Sequence, residues 1–359
     1  LSDITGNAQV WSVATDAHGG SGWPEQLTFF DDKVWEVHGT HAADHLAAVS
    51  DVGGNERQQL FLISGLGDSV HNVRRLTTDD DAIHRFGAFS RDGRQIVYAS
   101  NARNPVDFDP YRLDLETGES RRVAETAGNR AIAAWSPDGA QILMLEAVAA
   151  EQIELFILDV ATGAERCLTA DRDWARYAAV KWTADGIYLL SDRTRDRGAI
   201  CRLDPASGDL TEILPADDLL EHVGIDQGEA ELLAQSPDGT RAAVALNVQG
   251  YSRLFLLTLA GGDWHALSGV PEGVITALGF SADGGQLVFD LQGAACNADI
   301  WLYDLETDSA RQLTFSDRAG IDPNSFVTPE LIRFPTHDGR QLPAFYYVPQ
   351  SAPPPEGYP

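Results

Sequence analysis

Few stretches of this chain gather residues that could do chemistry. His18-Gly19-Gly20-Ser21-Gly22 combines a His-Gly-Gly run, of the kind that stabilises an oxyanion, with a serine set among glycines, as in a nucleophile turn. Such a turn needs glycine two residues after the serine, and position 23 is Trp23, so the segment is read as a Gly-rich turn between two strands. His38, His41 and His45 carry imidazoles that can bind a metal, but no carboxylate or cysteine stands at ligand spacing from them, which favours structural roles. Asp79-Asp80-Asp81 would attract a cation or a peptide amine, and such a like-charge run is the signature of a solvated loop. Cys167, Cys201 and Cys296 are odd in number and lack a C-x-x-C pair. They suggest neither a disulfide framework nor a thiolate metal site, and a reducing, cytoplasmic compartment suits them. No cofactor or metal motif is present.

These residues acquire meaning only from the elements that hold them, and those elements repeat. A short apolar run ending in Ser/Thr-x-Asp-Gly occurs at Ser90-Arg91-Asp92-Gly93, Ser136-Pro137-Asp138-Gly139, Thr183-Ala184-Asp185-Gly186, Ser236-Pro237-Asp238-Gly239 and Ser281-Ala282-Asp283-Gly284, with spacings of 46, 47, 53 and 45. Ala42-Ala43-Asp44-His45 is a degenerate sixth copy. Asp-Gly between apolar runs signals a hairpin, because glycine accepts positive φ and aspartate hydrogen-bonds its own turn. A second strand follows each turn, as in Gln95–Ser100, and a third ends in a polar turn, as in Tyr111-Arg112-Leu113-Asp114-Leu115-Glu116-Thr117-Gly118. A fourth closes the unit, as in Arg74-Arg75-Leu76-Thr77 and Arg311-Gln312-Leu313-Thr314. Four period-two strands in each repeat of about 45 residues predict an all-β, seven-bladed β-propeller of four-stranded blades. Phe89, Trp135, Trp182 and Phe280 recur just before the turns and are expected in the inter-blade core.

Third-strand copies begin near Val10, Leu60, Tyr111, Leu155, Ile200, Leu254 and Ile300, making seven, whereas first-strand copies number six. Blade 1 is therefore expected to be incomplete. Leu1-Ser2-Asp3 matches the second-strand ends Val49-Ser50-Asp51 and Leu190-Ser191-Asp192. The inner strands of blade 1 are expected upstream, with C-terminal residues as the rival source. The predicted organisation is a propeller over 1–319, with blade 1 partial at 1–29 and blades 2–7 at about 33–77, 83–124, 129–169, 176–215, 229–268 and 273–314. A linker and hairpin follow over 320–359.

Length and composition agree with a folded body: 359 residues, 43% hydrophobic and 22% charged. The net charge of −28 comes from 54 acidic against 26 basic residues, and the only lysines are Lys33 and Lys181. Such a surface disfavours nucleic acid and anionic membranes, both of which are bound through clustered Lys and Arg. No apolar run reaches 18 residues, so no transmembrane helix is expected.

Within a meander blade the first-to-second and third-to-fourth turns share one side, and here they are tight. The second-to-third loops and the inter-blade loops share the other side, and the stretches from Asn101 to Asp109, Ala170 to Tyr177, Pro215 to Ala230 and Gln292 to Asp299 are read as longer and irregular. Variable loops on a rigid scaffold are where binding concentrates, which makes this the candidate functional side. Arg85, Trp174, Arg176, Glu221 and His222 lie on or near it. An arginine there suits a substrate carboxylate and Glu221 a substrate amino terminus, and ordinary loop salt bridges would use the same residues. The last blade ends at Thr314 on this side, so a following domain would cap it.

After Thr314 the pattern changes. Glu330-Leu331-Ile332-Arg333-Phe334 and Leu342-Pro343-Ala344-Phe345-Tyr346-Tyr347-Val348 flank His337-Asp338-Gly339, a hairpin read as out of phase with the repeat and lacking its Ser/Thr-x-Asp-Gly unit. Together, the Ser-Pro-Asp-Gly blades and this hairpin resemble the propeller-to-catalytic-domain passage of the prolyl oligopeptidase family of serine peptidases, in its acylaminoacyl-peptidase and dipeptidyl-aminopeptidase-like branch. The blade motif is shared with TolB and other propellers; the hairpin from Glu330 to Pro349 supplies most of the discrimination. The resemblance implies that the hairpin begins a C-terminal α/β-hydrolase domain with a Ser-Asp-His triad acting on short peptides, to which the propeller restricts access. No catalytic residue of that family maps onto any position of this sequence. Partners implied are that catalytic domain and short peptides; a homo-oligomer is left open. The alternatives are a TolB-like interaction propeller and a propeller glycosidase, which would need two acids at a defined separation.

Overall fold

The computed structural model describes residues 1–15, 23–40, 42–66, 71–169, 174–194, 197–214, 221 and 228–350. They form an all-β propeller architecture. After β1 (Trp11–Ser12) and β2 (Glu25–Gln26) come β3–β6 (Val34–Gly39, His45–Ser50, Gln59–Ser64, Asn72–Arg75) and β7–β10 (His84–Phe89, Gln95–Ser100, Asp109–Asp114, Ser120–Arg122). Next are β11–β14 (Arg130–Trp135, Gln141–Ala149, Gln152–Asp159, Glu165–Cys167) and β15–β18 (Tyr177–Thr183, Gly186–Ser191, Ala199–Leu203, Leu210–Leu214). Then follow β19–β22 (Glu229–Gln235, Arg241–Val248, Tyr251–Thr258, Trp264–Ala266), β23–β26 (Leu278–Phe280, Gln286–Gly293, Cys296–Asp304, Ser309–Gln312), and the hairpin β27–β28 (Glu330–Pro335, Gln341–Tyr346). Each group of four is one meander sheet. Two compact units are present, one reaching Ile213 and the other starting at Leu214.

The number of blades corrects the sequence reading: among the described residues there are six four-stranded blades, not seven. The seventh third-strand copy is real, but it belongs to the two-stranded ladder β1–β2. That ladder nonetheless carries blade chemistry. Thr28 Oγ1 accepts the Val10 N–H and donates to Gln9 Oε1, as Thr77 does with Leu60 and Gln59 and Thr314 with Ile300 and Asp299. Ser2 also pairs with Gln9 as Ser50 pairs with Gln59. A third-strand count therefore detects the unit without testing for its first strand.

Period-two alternation places the core between sheets. On β12, Ile142 and Met144 pack with Val97 and Ala99 of β8, while Leu143 packs with Ile187 and Leu189 of β16. On β8, Ile96 and Tyr98 pack instead with Leu60 and Leu62 of β5. Both faces of a blade are thus buried, and each fully buried Leu or Ile contributes about 1.5–3 kcal/mol. Trp135 and Phe280 are buried in these layers, with Phe89 and Trp182 packed against them, as their positions before the turns predict. In the second unit the layer joins Ala243 and Ala245 of β20 to Leu287 and Phe289 of β24.

The repeated turn closes by one device. Ser90, Ser136, Ser236 and Ser281 donate their hydroxyls to Asp92, Asp138, Asp238 and Asp283, at 2.6–2.7 Å. The same oxygens accept the N–H of Gln95, Gln141, Arg241 and Gln286, and the glycine takes positive φ, 69° to 75°. Thr183 departs from this: it pairs directly with Gly186, a tighter two-residue hairpin. The hairpin β27–β28 corrects the sequence reading in the opposite sense. Thr336-His337-Asp338-Gly339 is itself a Thr-x-Asp-Gly turn, with Thr336 Oγ1 donating to Asp338 and the Gly339 N–H donating to the Thr336 carbonyl at 3.0 Å. These hydroxyls hold the aspartates below the usual carboxylate range, Asp238 at about 2, where the Thr240 N–H and hydroxyl add to the Ser236 bond. A depressed folded pKa stabilises above the unfolded value near 4, and that contribution disappears as pH falls through the folded value. Ser236→Ala should therefore cost about 1 kcal/mol near neutrality. The gap from wild type should narrow between about pH 4 and 2, as urea unfolding at several pH values would measure.

Two further features shape the candidate side. The first strands β3, β7, β11, β15 and β19 each carry a register shift against their partner, the mark of bulges that bend a strand and re-aim its side chains. The loop read as irregular from Gln292 to Asp299 is instead a hairpin, with Gly293 opposite Cys296. The small residues of Gly293-Ala294-Ala295 imitate a loop while the ladder simply runs on.

Candidate functional site

The second-to-third loops and the inter-blade loops supply the polar groups of the candidate side. In the first unit Arg85, the second residue of β7, donates from Nη1 to Asn129 Oδ1 and lies 3.8 Å from the ring centre of Phe108. Phe108 ends the loop between β8 and β9, and Asn129 ends the loop before β11, so Arg85 is clamped from both kinds of loop. Burial lowers its pKa and nearby Glu36 opposes that shift; a guanidinium keeps its charge regardless. Glu36, on β3, bonds His38 Nε2 at 2.9 Å. That bond, partly offset by desolvation, holds its carboxyl below the usual range. The His38 ring stacks on Phe86 at 4.2 Å and 15°. The pairing of Glu36 with His38 and its field at Arg85 went unread in the sequence; the signal was an acid and an arginine 49 residues apart, close to one repeat, on the first strands of successive blades.

Arg176 immediately precedes β15. Its N–H and Nε bond the two oxygens of Asp192 at 2.7 and 2.9 Å, with Glu151 at 3.4 Å. Trp174 beside it is 69% exposed. Lys181, on β15, has its pKa lowered by burial. Glu221 is exposed, in the second unit, and His222 lies outside the described residues; so do His41 and the His18–Gly22 segment. His45 packs against Phe89, with ring centres 5.4 Å apart. The acidic run Asp79-Asp80-Asp81 is neutralised by the chain itself, Asp80 pairing with Arg75 and Asp81 with Arg57. Among the described residues no three His, Cys, Asp or Glu side chains are grouped to hold a metal.

The loop between β8 and β9 is rigid for a reason that the sequence did not reveal. Asp109 is completely buried and meets Arg103 Nε at 2.8 Å and Nη2 at 3.0 Å, while the Arg103 guanidinium also reaches Asp107 and the Thr126 carbonyl. The Asp109 bond leads in raising the arginine pKa above its ordinary value. This replaces the Gln–Thr clamp of the sister blades by an ion pair.

In the second unit the hairpin β27–β28 is seated on the turn between β20 and β21. A Cβ on Gly250, at φ 93°, would lie 2.8 Å from the Phe345 ring, and Tyr251 meets that ring at 4.9 Å. Gln350 Nε2 donates to the Asn324 and Phe326 carbonyls, tying down the segment around the 3-10 turn Pro323–Ser325. Elsewhere the hairpin and the residues just after it are partly bare: Leu331, Ile332, Phe334, Leu342, Tyr346, Tyr347 and Val348 are 37% to 54% exposed. By the ladder register Ile332, Phe334, Leu342 and Tyr346 share one face of the hairpin, and exposed apolar side chains grouped in this way mark a surface that packs against something else.

No family model matches the chain. A puromycin hydrolase shares the fold with a TM-score of 0.72 at 18% identity, over 98% of this chain and 59% of that one. A puromycin-hydrolyzing peptidase from Mycobacterium tuberculosis does so at 0.67 and 17%, over 93% and 56%. A manganese-bound oligogalacturonate lyase matches at 0.62 and 13%, over 96% and 97%. In sequence, TolB of Francisella tularensis subsp. holarctica is 32% identical over 104 residues, 29% of this chain and 23% of that protein. The chain thus spans under three fifths of the peptidase chains, and its match spans about a quarter of the curated relatives. The fold it shares with these peptidases and with the lyase is the β-propeller.

Proposed function

We propose that this chain is the propeller part of a serine peptidase, which admits short peptides to a C-terminal α/β-hydrolase domain and turns folded proteins away. The observation that carries the reading is the hairpin β27–β28, anchored through Phe345 on the second-to-third loop side and apolar over most of its remaining surface. Ile332, Phe334, Leu342 and Tyr346, together on the face away from Phe345, would be costly to leave in water, and a packed catalytic domain would cover them. Structural likeness to two-domain peptidases points the same way. On this reading Arg85, Trp174 and Arg176, with the sequence-read Glu221 and His222, belong to the substrate side; Arg176 is already engaged by Asp192 and Glu151, so Arg85 is the donor proposed for a peptide carboxylate and Glu221 the acceptor for an amino terminus. A TolB-like binding module is less favoured, because that likeness in sequence covers only 104 residues.

The coding sequence beyond Pro359 tests the proposal. A Gly-x-Ser-x-Gly within a few hundred residues is expected, and a stop codon directly after Pro359 would refute it.

A further inference from the structure

One part of the molecule is electrostatically out of character. Across the antiparallel ladder of β9 and β10, Arg112 stands directly opposite Arg121. Like charges in that register destabilise a sheet, and a guanidinium cannot relieve the repulsion by losing its proton. Arg121 has a local partner, its neighbour Glu119 at 2.6 Å, but Arg112 is exposed and has no ion-pair or hydrogen-bond partner among the described residues. The two side chains share a cleft with Thr117 and with Val160 and Ala161 of the next blade. Arg122 stands at its border, with Nη1 3.6 Å from Asp109 and Nη2 on Glu125. Two carboxylates also line the cleft: Asp114, whose Oδ1 is saturated by the Glu116 and Thr117 N–H groups and the Thr117 hydroxyl, and Glu119.

Charge along the chain singles out the same place. Acids outnumber bases 54 to 26 overall, yet residues 83–124 hold seven arginines against six carboxylates, and no other blade has an excess of cations. A basic pair that weakens its own sheet, in the one blade where basic residues prevail, is accounted for by an anion that bridges it. Paired guanidiniums are the donors that match oxyanions with two acceptor oxygens.

We propose that the Arg112–Arg121 cleft binds an oxyanion, supplied as free phosphate or as the carboxylates of an acidic peptide, with the anion displacing Glu119 from Arg121. The inference is independent of the peptidase reading. The test uses the full chain and inorganic phosphate as the probe, titrated by calorimetry at constant ionic strength against chloride. Saturable phosphate binding is expected, weakened about tenfold or more by Arg112→Gln and by Arg121→Gln. In phosphate-free buffer Arg112→Gln should be at least as stable as wild type, because the repulsion is gone. Hexaglutamate then separates the sources: competition with phosphate shows that an acidic peptide occupies the cleft, and phosphate binding without competition shows that it takes the free ion. Absence of saturable binding, equal binding by both variants, or a loss of stability by Arg112→Gln in phosphate-free buffer would overturn the proposal.

Discussion

Replacing Arg103 by alanine will lower the unfolding free energy, because buried Asp109 loses its two guanidinium donors and keeps only the Thr126 N–H and the more distant Arg122. Asp109 is fully buried, and with Arg103 gone its nearest cation is Arg122 Nη1 at 3.6 Å. Arg103 also binds Asp107 and the Thr126 carbonyl, so three parts of the β8–β9 and β10–β11 connections would lose a common anchor. Asp109→Asn in the same chain should restore part of the loss, since it removes the charge that the arginine neutralises. Urea unfolding of the single and double variants measures this, and equal destabilisation of both would show that packing of the arginine, rather than charge, is what counts.

Gly87→Val will be comparably severe. A Cβ at Gly87 would sit 2.7 Å from Ile132 Cβ and from the Val97 carbonyl oxygen, so both a neighbouring blade and the paired strand stand in its way. A backbone oxygen inside a ladder cannot withdraw, and overpacking of this kind costs roughly 3 kcal/mol or more. The glycine sits in the register shift between Phe86 and Ala88, which brings β7 close to β11. Ile132→Ala removes the Cγ2 that a Gly87 Cβ would also meet at 2.7 Å but keeps the Cβ and leaves the Val97 oxygen in place, so it should relieve little of the cost of Gly87→Ala. Thermal unfolding would check both expectations.

How much could be read in advance follows from how local each signal is. The Ser-x-Asp-Gly turns, the alternation that sends successive side chains to opposite faces of a sheet and the aromatic positions before the turns are written within a few residues, and the sequence displays them. The blade number is a different kind of quantity: seven third strands were visible, but whether each belongs to a four-stranded sheet depends on strands elsewhere in the chain. At Gly293-Ala294-Ala295 small residues make a continuing ladder look like a loop, and the phase of the last hairpin hides Thr336 as the first residue of one more Thr-x-Asp-Gly turn. Partners such as Arg103 with Asp109, Glu36 beside Arg85, and Arg176 with Asp192 and Glu151 meet across loops or blades, so only geometry reveals them. The positions of Arg85 and Arg176 near the inter-blade loops were legible; the carboxylate and amide groups that hold them were not.

On the proposed function, this propeller serves a catalytic serine outside its own residues. Hydrolysis of a chromogenic aminoacyl or acyl-aminoacyl substrate tests it most directly, with the full-length gene product and residues 1–359 assayed side by side. The account predicts turnover by the full-length protein, abolished by an active-site serine reagent, and none by residues 1–359. Turnover by residues 1–359 alone, or full-length activity indifferent to the serine reagent, would contradict it.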